Sequence, residues 1–230
     1  MINKENVLFC LVGLFAGAII GFMFANSVNQ SAALTAINPA AVSANMPAGH
    51  PPTGTQGGSI PEVQAAIEKA RAEPNNFEAQ IKAAEMYYQI QRFEGAVEFL
   101  KQAAKLKPDD LDTIINLGNA YFDSGKYEDA EKSYTAALAK KPDDLNVRTD
   151  LGLTFVFRPQ PDYDRAIKEF NTALEKEPNH VQALQNLTIA FTKKGDSAKA
   201  TAALQRLEAV EPSNTAIAKL KEEIDKIVVK

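Results

Sequence analysis

The chain has 230 residues, 45% hydrophobic and 23% charged, a globular balance that excludes a wholly disordered or collagen-like polymer. Its formal charge of −4 argues against a nucleic-acid binder held by phosphate neutralisation. One cysteine, Cys10, leaves no intramolecular disulfide framework and no cysteine-based zinc site.

A short flank, residues 1–6, leads into residues 7–25, VLFCLVGLFAGAIIGFMFA, which carry no charge. A helix of that length spans about 28 Å, close to the hydrocarbon thickness of a bilayer. Lipid offers the backbone no hydrogen-bond partners, so the expected element is a transmembrane helix. The rival reading is the apolar part of a cleaved signal peptide. A cut after Ala25 puts Met23 at the −3 position, which is not small, and the run is longer than such regions usually are, so an uncleaved anchor is the preferred reading. Cys10 sits inside the run behind Phe9 and reads as a small buried hydrophobe, not a lipid attachment point. Gly13, Gly17 and Gly21 share one helix face, which offers a close-packed homodimer contact. Lys4 precedes the run and no charge follows it until Glu62. The positive-inside tendency then places the N-terminus in the cytoplasm and the remainder outside the inner (cytoplasmic) membrane, in the periplasm of a diderm bacterium.

Residues 26–60 contain no Asp, Glu, Lys or Arg and are rich in Ala, Ser, Asn, Pro and Gly. Without an apolar period they cannot offset the entropy of ordering, so a flexible, disordered linker is expected, with a root-mean-square reach of about 30–35 Å. His50 falls here, between Gly49 and Pro51, and reads as solvated.

Residues 61–76 predict a capping helix with Val63, Ala66, Ile67 and Ala70 on its apolar face. Prolines then recur at Pro74, Pro108, Pro142, Pro178 and Pro212, with spacings of 34, 34, 36 and 34. A period of that size marks a repeat array, here 77–214, divided as 77–110, 111–144, 145–180 and 181–214. Each repeat predicts two amphipathic helices. In the second, Ile114, Leu117, Gly118 and Tyr121 fall on one face of the first helix, while Ala130, Tyr134, Ala137 and Leu138 mark the core face of its partner. Ser124, Gly125 and Lys126 break the pair, and Pro142 ends the unit. Asp109-Asp110 and Asp143-Asp144 stand where helix capping explains them, and His180, at the same turn, has the same expected role. The third repeat carries a turn two residues longer, Phe157 to Tyr163, read either as a neutral insertion or as a presented loop. Residues 215–230 close the array with an amphipathic cap: Ile217, Leu220, Ile224 and Ile227 face inward among charged neighbours.

This pattern resembles the tetratricopeptide repeat (TPR) family, and the apolar helix and tether make the chain look like a membrane-anchored bacterial member. The second repeat matches with Leu117-Gly118, Tyr121, Ala130, Tyr134, Ala137 and Pro142, and the third with Leu151-Gly152, Phe155, Ala166, Phe170, Ala173 and Pro178. The first has Ala83-Ala84 in place of Leu-Gly but keeps Tyr87, Ala96, Leu100, Ala103 and Pro108. The fourth is loosest, with Leu187-Thr188, Phe191, Ala200, Leu204, Leu207 and Pro212. The resemblance implies an all-α solenoid of four helix-turn-helix repeats between two capping helices. It also implies a concave groove, lined by the first helix of each repeat, that accepts peptides or helices of other proteins. The groove residues it implies are Ile81, Glu85 and Tyr88, then Ile115, Asn116, Asn119 and Phe122, then Thr149, Leu153 and Val156, and lastly Gln185 and Ile189. Some family members clamp a chaperone's C-terminal carboxylate with basic groove residues. Here Ile81, Glu85, Asn146 and Asp150 stand at corresponding positions, so that clamp is absent.

No Ser/His/Asp set, metal-ligand cluster or phosphate-binding glycine loop is present in the sequence, so neither an enzyme nor a cofactor is expected. The sequence reads as a membrane-anchored scaffold or adaptor for envelope proteins. The alternative is a self-assembling structural protein.

Overall fold

The computed structural model describes residues 60–228, and these contain ten α-helices and no strand. No helix among the described residues is long and apolar enough to cross a membrane. The expected transmembrane helix, its Gly13, Gly17 and Gly21 face and the tether up to residue 59 lie outside the described residues. The capping helix α1 spans Ile60–Ala72, starting one residue inside the expected linker. The repeats follow as α2 (Phe77–Gln89) with α3 (Phe93–Leu106), and α4 (Leu111–Asp123) with α5 (Tyr127–Lys140). The other two pairs are α6 (Leu145–Phe157) with α7 (Tyr163–Lys176), and α8 (Val181–Lys194) with α9 (Ser197–Val210). The helix α10 (Ile217–Val228) closes the stack. Each helix packs on its neighbours in sequence, and α8 also touches α6 and α10, which is the arrangement of a helical solenoid.

The turns explain where the helices start. Asn76, Asp110 and Asp144 cap α2, α4 and α6 by accepting the backbone N–H of Ala79, Thr113 and Val147. His180 does the same for α8: its Nδ1 accepts the Ala183 N–H at 3.2 Å, and its Nε2 lies 3.2 Å from Asn146 Oδ1. Imidazole can make both bonds in the neutral form protonated at Nε2. The carboxylates beside the caps have a different task. Asp109 bonds Lys140 at 2.6 Å and Asp143 bonds Lys176, each pair joining one inter-repeat turn to the next.

Small residues sit where helices cross. A Cβ built on Gly118 would lie 2.7 Å from the Tyr134 ring, and one on Gly152 would lie 2.3 Å from the Phe170 ring. Both rings are fully buried. The apolar side chains form two clusters among the described residues. One runs from Ala70 to Leu100 and takes in Ala120, while the other runs from Phe122 to Ile224. Half-buried Tyr121 packs against both.

Within repeats one, two and four the intra-repeat turn uses a left-handed residue, at Gln91 (φ 58°), Gly125 (φ 74°) and Gly195 (φ 85°). A long closing bond follows in each, from the N–H of Arg92 to Tyr87 O, of Lys126 to Tyr121 O and of Asp196 to Phe191 O. In repeat three the equivalent bond, Asp162 N–H to Phe155 O at 2.9 Å, survives the two extra residues. Arg158 ties the longer turn down. Its Nε donates to Gln160 O at 2.9 Å, and its guanidinium lies 3.3 Å from Asp162 and 3.7 Å from Glu131. Arg165 joins the same cluster, 2.6 Å from Glu131 and 4.0 Å over the Phe155 ring.

Two stability predictions follow from the crossings and the turns. Gly118→Val drives methyl groups into Tyr134 and should cost about 1–3 kcal/mol, read as a lowered thermal midpoint. Gln91→Gly should raise stability by about 1 kcal/mol in a urea titration, because glycine adopts the left-handed turn without the Cβ clash.

Candidate functional site

The first helices of the repeats carry the expected groove positions, and the structure sorts them into two groups. Glu85 is exposed, and Ile81, Ile115 and Asn116 are half-buried. Asn119, Thr149 and Leu153 are fully enclosed, and Tyr88, Phe122, Val156, Gln185 and Ile189 are buried. The physical reason lies in composition. α6 carries Leu145, Val147, Leu151, Leu153, Phe155, Val156 and Phe157 on every face, and a helix apolar all round is a buried helix. Thr149 turns its hydroxyl inward to donate to Asn146 O at 2.8 Å. Phe122 lies edge-on to Tyr127 and Phe157, at 5.4 and 6.0 Å between ring centroids. Gln185 Oε1 stands 3.5 Å from Asn214 Nδ2.

The positions that come together are those of the first joint. Ile81, Glu85, Tyr88 and Asn116 line one small cavity with Ala84 and Leu100, residues the groove register did not pick out. The Tyr88 hydroxyl donates to Asp123 across the same joint. Glu85 pairs with Lys82 at 3.5 Å and Glu78 with Lys107 at 3.5 Å, all four side chains at least half exposed. Such exposed pairs contribute little and exchange readily.

At the second joint the equivalent space is full. The Tyr134 hydroxyl donates to Asn119 Oδ1 at 2.7 Å, and the Asn119 amide nitrogen has no hydrogen-bond partner among the described residues. Burial first, then the nearby Asp150 and Asp123 carboxylates, hold the Tyr134 phenol well above its usual range. Burial also raises Tyr121 and Tyr127. Among the described residues no group of three or more His, Cys, Asp or Glu is placed to hold a metal ion.

The arrangement suits non-covalent recognition: a partly apolar surface with amide and carboxylate groups at its edge, on a rigid helical frame. Comparison with known proteins places the frame. A profile described as tetratricopeptide repeat matches residues 91–152 and 160–224, and a second tetratricopeptide repeat profile matches 58–110. The seven residues between the first two matches contain the start of the longer third turn. Among solved structures, one described as MamA is 23% identical over 65% of this chain and 86% of that one, with a TM-score of 0.57. MamA 41-end from Desulfovibrio magneticus RS-1 is 21% identical over 66% and 85%, with a TM-score of 0.58. YrrB, described as a TPR protein with an unusual peptide-binding site, is 16% identical over 73% and 94%, with a TM-score of 0.57. At these identities the likeness is one of fold. No curated protein matches the chain.

A pH dependence follows for Tyr134. Its folded pKa is raised, so above about pH 10 the unfolded chain gives up this proton and the folded chain keeps it. The unfolded state then binds fewer protons, and stability falls as pH rises past that point. Urea midpoints measured across the alkaline range should fall for wild type, and less steeply for Tyr134→Phe.

Proposed function

Because this chain belongs to the tetratricopeptide repeat family, we propose that it is a non-enzymatic, membrane-anchored scaffold of the cell envelope. The tetratricopeptide repeat fold is a protein–protein interaction scaffold. Within it, the single observation that carries the recognition role is the first joint. There Ile81, Glu85, Tyr88 and Asn116 converge on one open cavity with apolar walls and polar edges. The partner is an extended peptide or helix of another envelope protein.

The membrane part of this reading rests on the uncharged residues 7–25 and the uncharged tether after them. The N-terminus lies in the cytoplasm and the repeats lie in the periplasm. A tether of this length holds the repeats within tens of ångströms of the bilayer, which raises their effective concentration for membrane neighbours. The alternative is a self-assembling membrane protein, favoured by the Gly13, Gly17 and Gly21 face. The charged outer face of α10 speaks against open-ended stacking of repeats.

The test is cross-linked capture of the full chain from native bacterial membranes, with wild type beside the double variant Glu85→Lys, Asn116→Ala. The scaffold reading expects membrane retention through an alkaline carbonate wash and repeats digested by protease in spheroplasts. It also expects envelope proteins captured by wild type and lost by the variant. Release by carbonate removes the anchor, protease protection reverses the topology, and capture of the chain alone replaces the scaffold with self-assembly.

A further inference from the structure

The first repeat breaks a rule that the second and third obey, and the breach leaves a defined space. Residue for residue, Gly118 and Tyr134 correspond to Gly152 and Phe170, and in the first repeat to Ala84 and Leu100. In repeats two and three the aromatic ring lies against the glycine. Within the second repeat the Tyr134 hydroxyl also donates to Asn119 of α4, and the Asp150 carboxylate of α6 acts on the same phenol. The counterparts of Asn119 and Asp150 one repeat earlier are Glu85 and Asn116. Ala84, Leu100, Glu85 and Asn116 are the residues that border the cavity, together with Ile81 and Tyr88. Leucine is shorter than tyrosine, so the space that the phenol fills at the second joint is a cavity of about 30 Å³ at the first. That is far below the roughly 150 Å³ at which an apolar cavity takes benzene, so it suits the tip of an aliphatic side chain and not a ring.

The cavity is polarised from floor to mouth. Ala84 and Leu100 at the floor are 3% exposed, and the exposed Glu85 and half-buried Asn116 stand at the mouth. Asn116 makes no side-chain hydrogen bond with the described residues. An apolar tip therefore belongs inside and a hydrogen-bonding or charged group outside. Glu78, Glu85 and Asp112 on α2 and α4 are exposed carboxylates. Asp112 has no ion pair among the described residues, and the other two have only loose lysine partners. Of the three, Glu85 borders the cavity, and its carboxylate at the mouth calls for a cation.

We propose that the cavity between α2, α3 and α4 is a side-chain pocket that takes a leucine, isoleucine or valine tip from a partner protein's segment, with a lysine or arginine beside it on Glu85. The partner side chain completes the first joint as Tyr134 completes the second. This assignment rests on the scaffold reading above and narrows it to one pocket and one partner chemistry.

The test uses the purified full chain and a fluorescein-labelled Lys-Leu-Lys peptide in a Gly-Ser background, read by fluorescence anisotropy. Peptides with Ala for Leu, or with Glu for both Lys, serve as comparisons. The pocket predicts that removing the leucine branch weakens binding by about tenfold or more, the usual discrimination of an apolar pocket. Charge reversal on the peptide should abolish binding, and Glu85→Lys should reverse the preference between the Lys and Glu peptides. Leu100→Tyr with Ala84→Gly rebuilds the pair found in repeat two and should fill the pocket. Its circular dichroism and thermal midpoint report that it folds, and a second variant, Asn116→Leu, closes the mouth from α4 if it does not. Equal binding of all three peptides to wild type overturns the assignment. So does unchanged leucine discrimination in a folded, filled variant. A filled variant that still captures the wild-type envelope partners sinks the pocket and leaves the scaffold standing. If wild type captures no partner at all, the scaffold itself fails.

Discussion

The second and third repeats each depend on one close helix crossing, at which the first helix gives up a side chain so that a ring from the second can lie against its backbone. At Gly118 and Gly152 even a methyl group would fall within 3 Å of the Tyr134 or Phe170 ring. The ring does two jobs. It seals its own helix pair, where the Tyr134 hydroxyl also bonds Asn119 of the same repeat, and it belongs to the apolar cluster that continues into the next repeat through Val147 and Leu151. Cohesion within a repeat and cohesion between repeats therefore share one residue. A stack built this way behaves as a chain of nearest-neighbour contacts, each weak alone and sufficient together.

The constraint relaxes at both ends. The fourth repeat pairs Thr188 with Leu204 and the first pairs Ala84 with Leu100, and in the first the ring against a glycine is instead Tyr87 of α2 on Gly95 of α3. In the fourth repeat the Thr188 hydroxyl is satisfied by Leu184 O, and α10 covers the end of the stack with Leu220 and Ile224. The first repeat instead keeps an opening beside Ala84, at the joint where one apolar cluster ends and the next begins. The proposed recognition pocket lies where packing is incomplete, since a fully packed joint has no volume left to offer.

Much of this was legible in the sequence. The proline period and the i, i+3, i+4, i+7 spacing of Ile114, Leu117, Gly118 and Tyr121 set the helix pairs. The polar residue ahead of each first helix set the caps, His180 included. Exposure was not legible from register alone. A register assigns Thr149, Leu153 and Val156 to a face, and whether that face is open depends on the apolar content around the whole helix. For α6 that content was on view in Leu145, Val147, Leu151, Phe155 and Phe157, and it should have marked the face as closed. Gln91 gave no warning that it holds a glycine's backbone conformation, because only the alignment of its turn with Gly125 and Gly195 reveals the strain. In the longer turn the Arg158 side chain is held by Glu131, Asp162 and the Phe155 ring, contacts that the sequence did not announce.

The charged groups divide along the same line as the rings. Lys140–Asp109, Lys194–Asp164 and Lys176–Asp143 bridge successive elements at the surface, and their acidic partners are largely exposed. Pairs of that kind add little to stability and are screened by salt. The stack is held by interdigitated rings and aliphatic groups, which salt does not screen. The lysines on Glu78 and Glu85 can therefore leave for a partner's cation without loosening the solenoid, because Ala84, Leu100 and Tyr88 beneath them are buried in the apolar cluster and do not depend on those exposed pairs. A frame whose stability is apolar can spend its surface carboxylates on recognition.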